Sequence, residues 1–169
     1  FEKGLFPRLL KEGEPVYGYP YGGYWLDMGT PEKYYSLNID LLLEKVHSPL
    51  VRESRPDRVY LSPDVTRHPS AVITGPAVIG RGCRIGKDVR ITGPVTIGRD
   101  CLLEDGAGIQ NAVLWDNVRI GAGATLERCI VSSDTAIDKK QNVADRVATP
   151  SQTAPLFPGS MQKRPLSSS

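Results

Sequence analysis

A mainly β fold, in which short parallel strands stack as the coils of a β-helix, is predicted for residues 61–148 by two observations: a self-similarity at 18 residues and a finer period of six within it. Ile73-Thr74-Gly75-Pro76 recurs as Ile91-Thr92-Gly93-Pro94, Ile79-Gly80-Arg81 as Ile97-Gly98-Arg99, and Cys83 as Cys101, each 18 residues on. Inside that repeat, aliphatic residues fall at Leu61, Ile73, Ile79, Ile85, Ile91, Ile97, Leu103 and Ile109, and only Arg67 interrupts the series. A one-residue deletion resets it to Leu114, Ile120 and Leu126, and a second resets it to Val131, Ile137 and Val143. Four residues after each stands a small or β-branched partner: Val65, Ala71, Ala77, Cys83, Val89, Val95, Cys101, Ala107, Val113, Val118, Ala124, Ile130 and Thr135.

A period of six is neither the 3.6 of an amphipathic helix nor the 2.0 of a long alternating strand. It suits a chain that turns a corner every six residues, so that three edges make one coil and successive coils stack about 4.8 Å apart. The aliphatic residue and its small partner then point into a narrow triangular prism. Glycine after the aliphatic residue, at Gly80, Gly86, Gly98 and Gly121, with Asp, Asn or Gly nearby, is read as supplying the backbone freedom that corners need. The spacing gives about five coils between Leu61 and Val147.

Cys83 and Cys101 are expected to stack on adjacent coils inside the prism, as small core filler in preference to a disulfide. Together with Cys129 they show no CxxC or Cys/His spacing, so neither a zinc site nor a disulfide framework is indicated. Trp115 follows Leu114 and should point outward, either as a packed surface ring or as an interface anchor.

Composition bounds the function. The 169 residues are 40% hydrophobic and 24% charged, and 21 Lys and Arg against 19 Asp and Glu leave a net charge of +2. No concentrated basic face is visible, which argues against nucleic acid as a partner. No apolar run approaches the roughly 18 residues of a membrane span, and no signal sequence opens the chain. The expectation is a cytoplasmic protein without a membrane partner. Phe1 stands inside an already patterned segment, and the sequence is read as the C-terminal part of a longer protein.

Residues 1–46 have a different texture. Phe6 to Glu12 reads as a short helix stopped by Gly13. Pro15 to Tyr19 and Tyr24 to Met28 read as strands joined by a turn around Tyr21-Gly22-Gly23. Thr30 is the expected N-cap of a second helix with Pro31 at its first position, continuing through Tyr34, Leu37 and Leu41 to Lys45. Elements this short cannot close a core alone. Residues 47–60 read as a charged linker and 149–169 as a flexible tail rich in Pro, Ser, Gln and Thr.

Phe1-Glu2-Lys3-Gly4-Leu5-Phe6-Pro7-Arg8-Leu9-Leu10, followed by Gly23-Tyr24-Trp25-Leu26-Asp27-Met28-Gly29-Thr30-Pro31-Glu32-Lys33-Tyr34, resembles the end of the catalytic domain of the sugar-nucleotide pyrophosphorylases (NDP-sugar synthases). Among them it is most like the mannose-1-phosphate guanylyltransferases. That family carries a hexapeptide-repeat domain after this stretch. The resemblance therefore implies a left-handed parallel β-helix preceded by the C-terminal end of an α/β nucleotidyltransferase domain.

The resemblance also implies an activity, transfer of a nucleotidyl group from a nucleoside triphosphate to a sugar 1-phosphate with release of pyrophosphate. GDP-mannose is the first-choice product, ahead of products from glucose 1-phosphate with UTP, dTTP or ATP. It makes Asp27 a ligand of Mg²⁺, where the residues alone also allow a carboxylate capping the turn into the helix. Trp25 is either a wall of the sugar pocket or a core ring. Gly29 either admits substrate to the backbone or supplies a positive φ. The Gly-rich nucleotide loop of the family, its companion metal-binding Asp and its substrate lysine do not occur, so the 169 residues alone are expected to be inactive. A homo-oligomer through the β-helix is expected, since solenoid ends expose strand edges.

Two rivals stand beside this reading. Hexapeptide-repeat acyltransferases need a His as base, and the chain offers only His47 in the linker and His68 beside Arg67. Subunits of the translation-initiation exchange factor share the architecture in a non-catalytic, assembly role.

Overall fold

The computed structural model describes residues 1–46 and 58–157. The first coil runs through β1 (Val59–Leu61), β2 (Thr66–Arg67) and β3 (Val72–Thr74), the second through β4 (Ala77–Ile79), β5 (Arg84–Ile85) and β6 (Arg90–Thr92). After β7 (Val95–Ile97) and β8 (Leu102–Leu103), the long strand β9 (Gly108–Leu114) turns a corner, ending the third coil and opening the fourth. β10 (Arg119–Ile120) leads into β11 (Thr125–Val131), which does the same for the fourth and fifth, and β12 (Ala136–Ile137) and β13 (Asn142–Ala144) finish the fifth. Equivalent strands of successive coils pair in parallel, so the prism has three sheet faces.

The inward set follows the six-residue period. Ile79, Ile91, Ile97, Leu103, Ile109, Leu114, Ile120, Leu126 and Val131 are all buried to within 2%. Each such side chain contributes about 1.5–3 kcal/mol by its removal from water, and stacking makes them one continuous core. Leu61, Val65 and Ile73 are only partly buried and Arg67 is exposed, because the first coil lies at the sheet edges. Arg67 occupies an inward register position, beside Ile85, where that edge lets a charge reach water.

Two expectations about the coils need correction. Val113 and Ile130 do not point inward. Ala112 and Cys129 take the interior positions, while Val113 and Ile130 join a separate outer cluster. The cause is the length of one corner. Val95 pairs with Ala77, 18 residues apart, whereas Val113 pairs with Thr96 and Ile130 with Val113, 17 apart. The early corners spend Gly75-Pro76 and Gly93-Pro94, and the later ones turn on the single residues Asn111 and Arg128 at φ 48° and 46°.

The glycines after the aliphatic residues serve close approach, not unusual backbone angles. A Cβ on Gly80 would lie 2.5 Å from the Gly98 carbonyl oxygen, and one on Gly121 would lie 2.6 Å from the Lys139 nitrogen. Left-handed angles fall two residues later at these corners, on Gly82, Asp88, Asp100 and Gly123. Coils 4.8 Å apart leave no room for a methyl group there.

Ahead of the prism, α1 (Leu5–Lys11) buries none of its residues, and α2 (Pro31–Leu42) starts as expected, Thr30 Oγ1 accepting from the Lys33 amide at 3.3 Å. The expected hairpin of 15–28 is absent. Residues 14–30 form no strand, and Tyr17 and Tyr19 are about nine-tenths exposed. An isolated two-stranded hairpin without a third strand or a covering face does not hold in water.

The segment from 149, expected to be flexible, folds back over its first nine residues. β15 (Thr153–Pro155) pairs antiparallel with β14 (Arg146–Ala148), and Leu156 is 1% exposed. Residues 47–57 and 158–169, holding most of the linker and the rest of the tail, lie outside the described residues.

Candidate functional site

Helix α2 lies along one corner of the prism. That corner comprises the residues just before β1, β4, β7 and β14, namely Arg58, Pro76, Pro94 and Asp145, together with Asn111 and Arg128, on which β9 and β11 turn. At one end the Tyr35 hydroxyl donates to the Asn111 carbonyl at 2.9 Å. At the other the Arg58 guanidinium donates to the Leu42 carbonyl at 3.1 Å and pairs with Glu44 at 3.5 Å. Between them, Tyr35 packs with Val113, Ile130 and Leu156, flanked by Tyr34, Ile39, Val147 and Phe157. Trp115 meets Tyr34 edge-on at 6.0 Å, so it is a surface ring packed on this helix. Phe157 meets Tyr35 likewise at 6.0 Å. Burial pushes the Tyr35 phenol up to about 12.

The loop 24–30 carries Trp25, Asp27 and Gly29, and it is tied to α2 at three points. The Tyr24 hydroxyl donates to Asp40 Oδ2 at 3.0 Å, Asp27 pairs with the Lys33 ammonium at 3.5 Å, and Thr30 caps the helix. Asp40 is held below the usual carboxylate range by hydrogen bonding to Lys45, 2.9 Å away, and to Tyr24. Asp27 makes no capping hydrogen bond among the described residues, so its turn-capping role is not realised. Its carboxylate is exposed and faces a cation. Trp25 is 77% exposed and is not a core ring of this chain. Gly29 does not adopt a positive φ. A Cβ there would come 3.5 Å from Asp27 Oδ2, ordinary contact.

As a metal site the loop offers one carboxylate. Mg²⁺ is commonly held by one or two carboxylates together with substrate phosphates and water, so Asp27 fits as one ligand of such a set. Among the described residues no three His, Cys, Asp or Glu side chains converge.

The cysteines Cys83, Cys101 and Cys129 are free and buried, as core filler should be. The Cys83 and Cys101 thiols donate to the carbonyls of Gly98 and Trp115 on the next coil, each at 3.1 Å. His68 borders a shallow groove of about 710 Å³ with Arg67, Arg84 and Lys87. Its Nδ1 accepts the Ser70 amide at 3.1 Å and lies 2.8 Å from Ser70 Oγ, which in turn accepts the Asp88 amide at 2.9 Å. The ring thus braces two coils. His47 lies outside the described residues.

The ties that sequence reading missed are Tyr24 to Asp40 and Tyr35 to Asn111. One signal was available. Ala112-Val113-Leu114 and Cys129-Ile130-Val131 are apolar on both sides of a strand, which requires a cover on the outer face.

A five-coil parallel prism with a helix docked on one corner defines a hexapeptide-repeat domain of the β-helix class. Residues 56–152 match the family model described as the EIF2B subunit epsilon LbH domain, LbH denoting the left-handed β-helix, and the chain belongs to that family. Its curated relatives include sugar nucleotidyltransferases. Mannose-1-phosphate guanylyltransferase of Mycobacterium tuberculosis is 34% identical over 128 residues, 75% of this chain and 30% of that protein. Glucose-1-phosphate adenylyltransferase of Desulforamulus reducens is 33% identical over 144 residues, 82% of this chain and 34% of that protein. The chain thus spans about a third of the length of these relatives. Among solved structures, perosamine N-acetyltransferase from Caulobacter crescentus matches at a TM-score of 0.43 and 16% identity, over 60% of this chain and 54% of that one. No helix among the described residues is long and apolar enough to cross a membrane.

Proposed function

We propose that this chain is the C-terminal part of a cytoplasmic nucleotidyltransferase that makes an NDP-sugar from a nucleoside triphosphate and a sugar 1-phosphate. GDP-mannose is the first-choice product. One observation carries the reading: the Trp25-Leu26-Asp27-Met28-Gly29-Thr30-Pro31 loop sits at the head of a helix docked on a β-helix, in a chain whose relatives include sugar nucleotidyltransferases. In the reaction an oxygen of the sugar phosphate bonds to the α-phosphorus, and the bond from that phosphorus to the pyrophosphate oxygen breaks. Such a transfer rests on positioning and on neutralising phosphate charge.

In this reading Asp27 holds Mg²⁺, which supplies charge neutralisation at the phosphates when bound. Trp25 offers an open ring face to the sugar, and Gly29 leaves the backbone accessible beside it. Lys33, 3.5 Å from Asp27, balances part of its charge. The β-helix serves as the assembly surface of a homo-oligomer.

The test is nucleotidyl transfer by the longer polypeptide, with GTP and mannose 1-phosphate, against this chain alone. The longer form releases pyrophosphate in a Mg²⁺-dependent manner, Asp27→Asn lowers kcat about 100-fold, and the 169 residues alone do nothing. Transfer by the 169 residues, or full activity in Asp27→Asn, would overturn the reading.

A second reading, a non-catalytic assembly subunit, has as its support that the matched family model is described as a domain of an EIF2B subunit. Absence of any transfer by the longer polypeptide, with a stable hetero-oligomer, would decide for it.

A further inference from the structure

We infer that the β-helix corner at Asn111 and the returning segment Thr153–Phe157 set the position of the 24–30 loop, so that Tyr35 and Phe157 are positioning residues for the proposed transfer. The inference rests on that reading of the loop. It deepens it by naming residues outside the loop on which the loop's geometry depends.

The chain of contacts is continuous. The prism turns at Asn111, whose carbonyl takes the Tyr35 hydroxyl at 2.9 Å. Segment Thr153–Phe157 returns antiparallel along β14, buries Leu156 and sets the Phe157 ring edge-on to Tyr35. Tyr35 is one turn inside α2, and Lys33, two residues earlier, holds Asp27 through its ammonium and Thr30 through its amide. Further along the same helix Asp40 holds Tyr24. The loop therefore hangs from α2 at both ends, and α2 is fixed to the prism from two sides.

Among the described residues the side-chain ties of the loop run to this helix, from Asp27 to Lys33 and from Tyr24 to Asp40, so a shift of the helix is passed to Asp27. The helix has no other buried residue than Tyr35. Removing the Tyr35 hydroxyl or the Phe157 ring leaves the prism core intact and frees the helix to shift. Misplacement of about 1 Å is enough to slow a reaction that depends on alignment.

The experiment compares Tyr35→Phe, Phe157→Ala and Leu126→Val in the longer polypeptide. Leu126 lies in the prism interior, away from the outer cluster, and reports general destabilisation. Amide hydrogen exchange over residues 33–42 is measured with kcat and KM. The expected result is faster exchange in α2 and a kcat about fivefold lower in the first two variants, with KM for the nucleoside triphosphate unchanged. Leu126→Val lowers the melting temperature while leaving kcat as in the parent. Loosened exchange with unchanged kcat would overturn the inference, as would exchange in α2 that stays at the parent rate. A parent protein without transfer activity overturns the functional reading itself and the inference with it, so the two failures are told apart.

Discussion

The Tyr35 hydroxyl and the Asn111 carbonyl, 76 positions apart in the chain, meet at 2.9 Å and join the helix that follows the Asp27 loop to the corner of the β-helix. The carbonyl is available because Asn111 turns the corner alone, in the left-handed region, where earlier corners use a Gly-Pro pair. A shortened coil and a docked helix are thus two sides of one arrangement.

That corner can be tested directly. Asn and Gly adopt left-handed angles readily, whereas a β-branched residue does so at a cost of about 1–3 kcal/mol. Asn111→Val is expected to lower unfolding stability by that amount, and Asn111→Gly to stay within a few tenths of a kcal/mol of the parent. Urea denaturation of both variants checks it, and equal stabilities would remove the argument from backbone angle.

The prism core should respond by depth. Leu103 is 1% exposed and sits in the middle coils, so Leu103→Ala is expected to cost about 2–5 kcal/mol. Leu61 is only partly buried on the first coil, and Leu61→Ala should cost clearly less. Thermal melts of the two variants rank them. The reverse order would mean that the first coil is covered in solution.

High pH should undock the helix. The Tyr35 phenol titrates near 12, above its ordinary value near 10, chiefly because burial disfavours the phenolate. A raised folded-state value means that this stabilisation is fully present below about pH 10 and is lost as pH climbs through about 12. Trp115 fluorescence, reporting on its contact with Tyr34, should change over that window. In Tyr35→Phe the same transition is expected to be reduced or absent.

The three thiols should be slow to react. Cys83, Cys101 and Cys129 are all within 1% of full burial, and burial pushes the Cys129 thiol up to about 12. The reactive form is an accessible thiolate, and all three sulfurs are closed off by the coils, so a disulfide reagent at neutral pH should label none of them until denaturant is added. Prompt labelling of any one in the native protein would show that its coil opens.

Much of the architecture was readable because a β-helix repeats its contacts at nearly constant separation. Ile79, Ile97 and Leu114 stack in register at intervals the eye can find in the chain. The places where that reading slipped share a cause. Counting four residues on from Ile109 and Leu126 points Val113 and Ile130 inward, but the corner crossed in each count is one residue shorter than in the earlier coils. Tyr24 to Met28 alternates like a strand, yet no partner strand exists among the described residues to pair with it. Thr149 to Phe157 has the composition of a loose tail, and only its antiparallel pairing and the burial of Leu156 show it to be part of the domain.

For the candidate site, the sequence supplied the residues and the structure supplied their support. Asp27, Gly29 and the Thr30 cap stand out as a motif, and the cap forms as read. The ion pair with Lys33 spans six residues and needed only the helix to bring it about. For the grip of Tyr35 on Asn111, the apolar run Ala112-Val113-Leu114 signals that a cover is needed but not which residue supplies it.

By itself the sequence determined the large aliphatic residues that enter the prism, where α2 begins, and that Cys83 and Cys101 are filler, because burial at a fixed period and capping are decided by neighbours in the chain or by the next coil. Only the tertiary structure decided which outward apolar residues are covered and by what. Val113, Ile130, Tyr35, Leu156 and Phe157 come from three segments that share no period, and their meeting depends on the summed geometry of the coils between them.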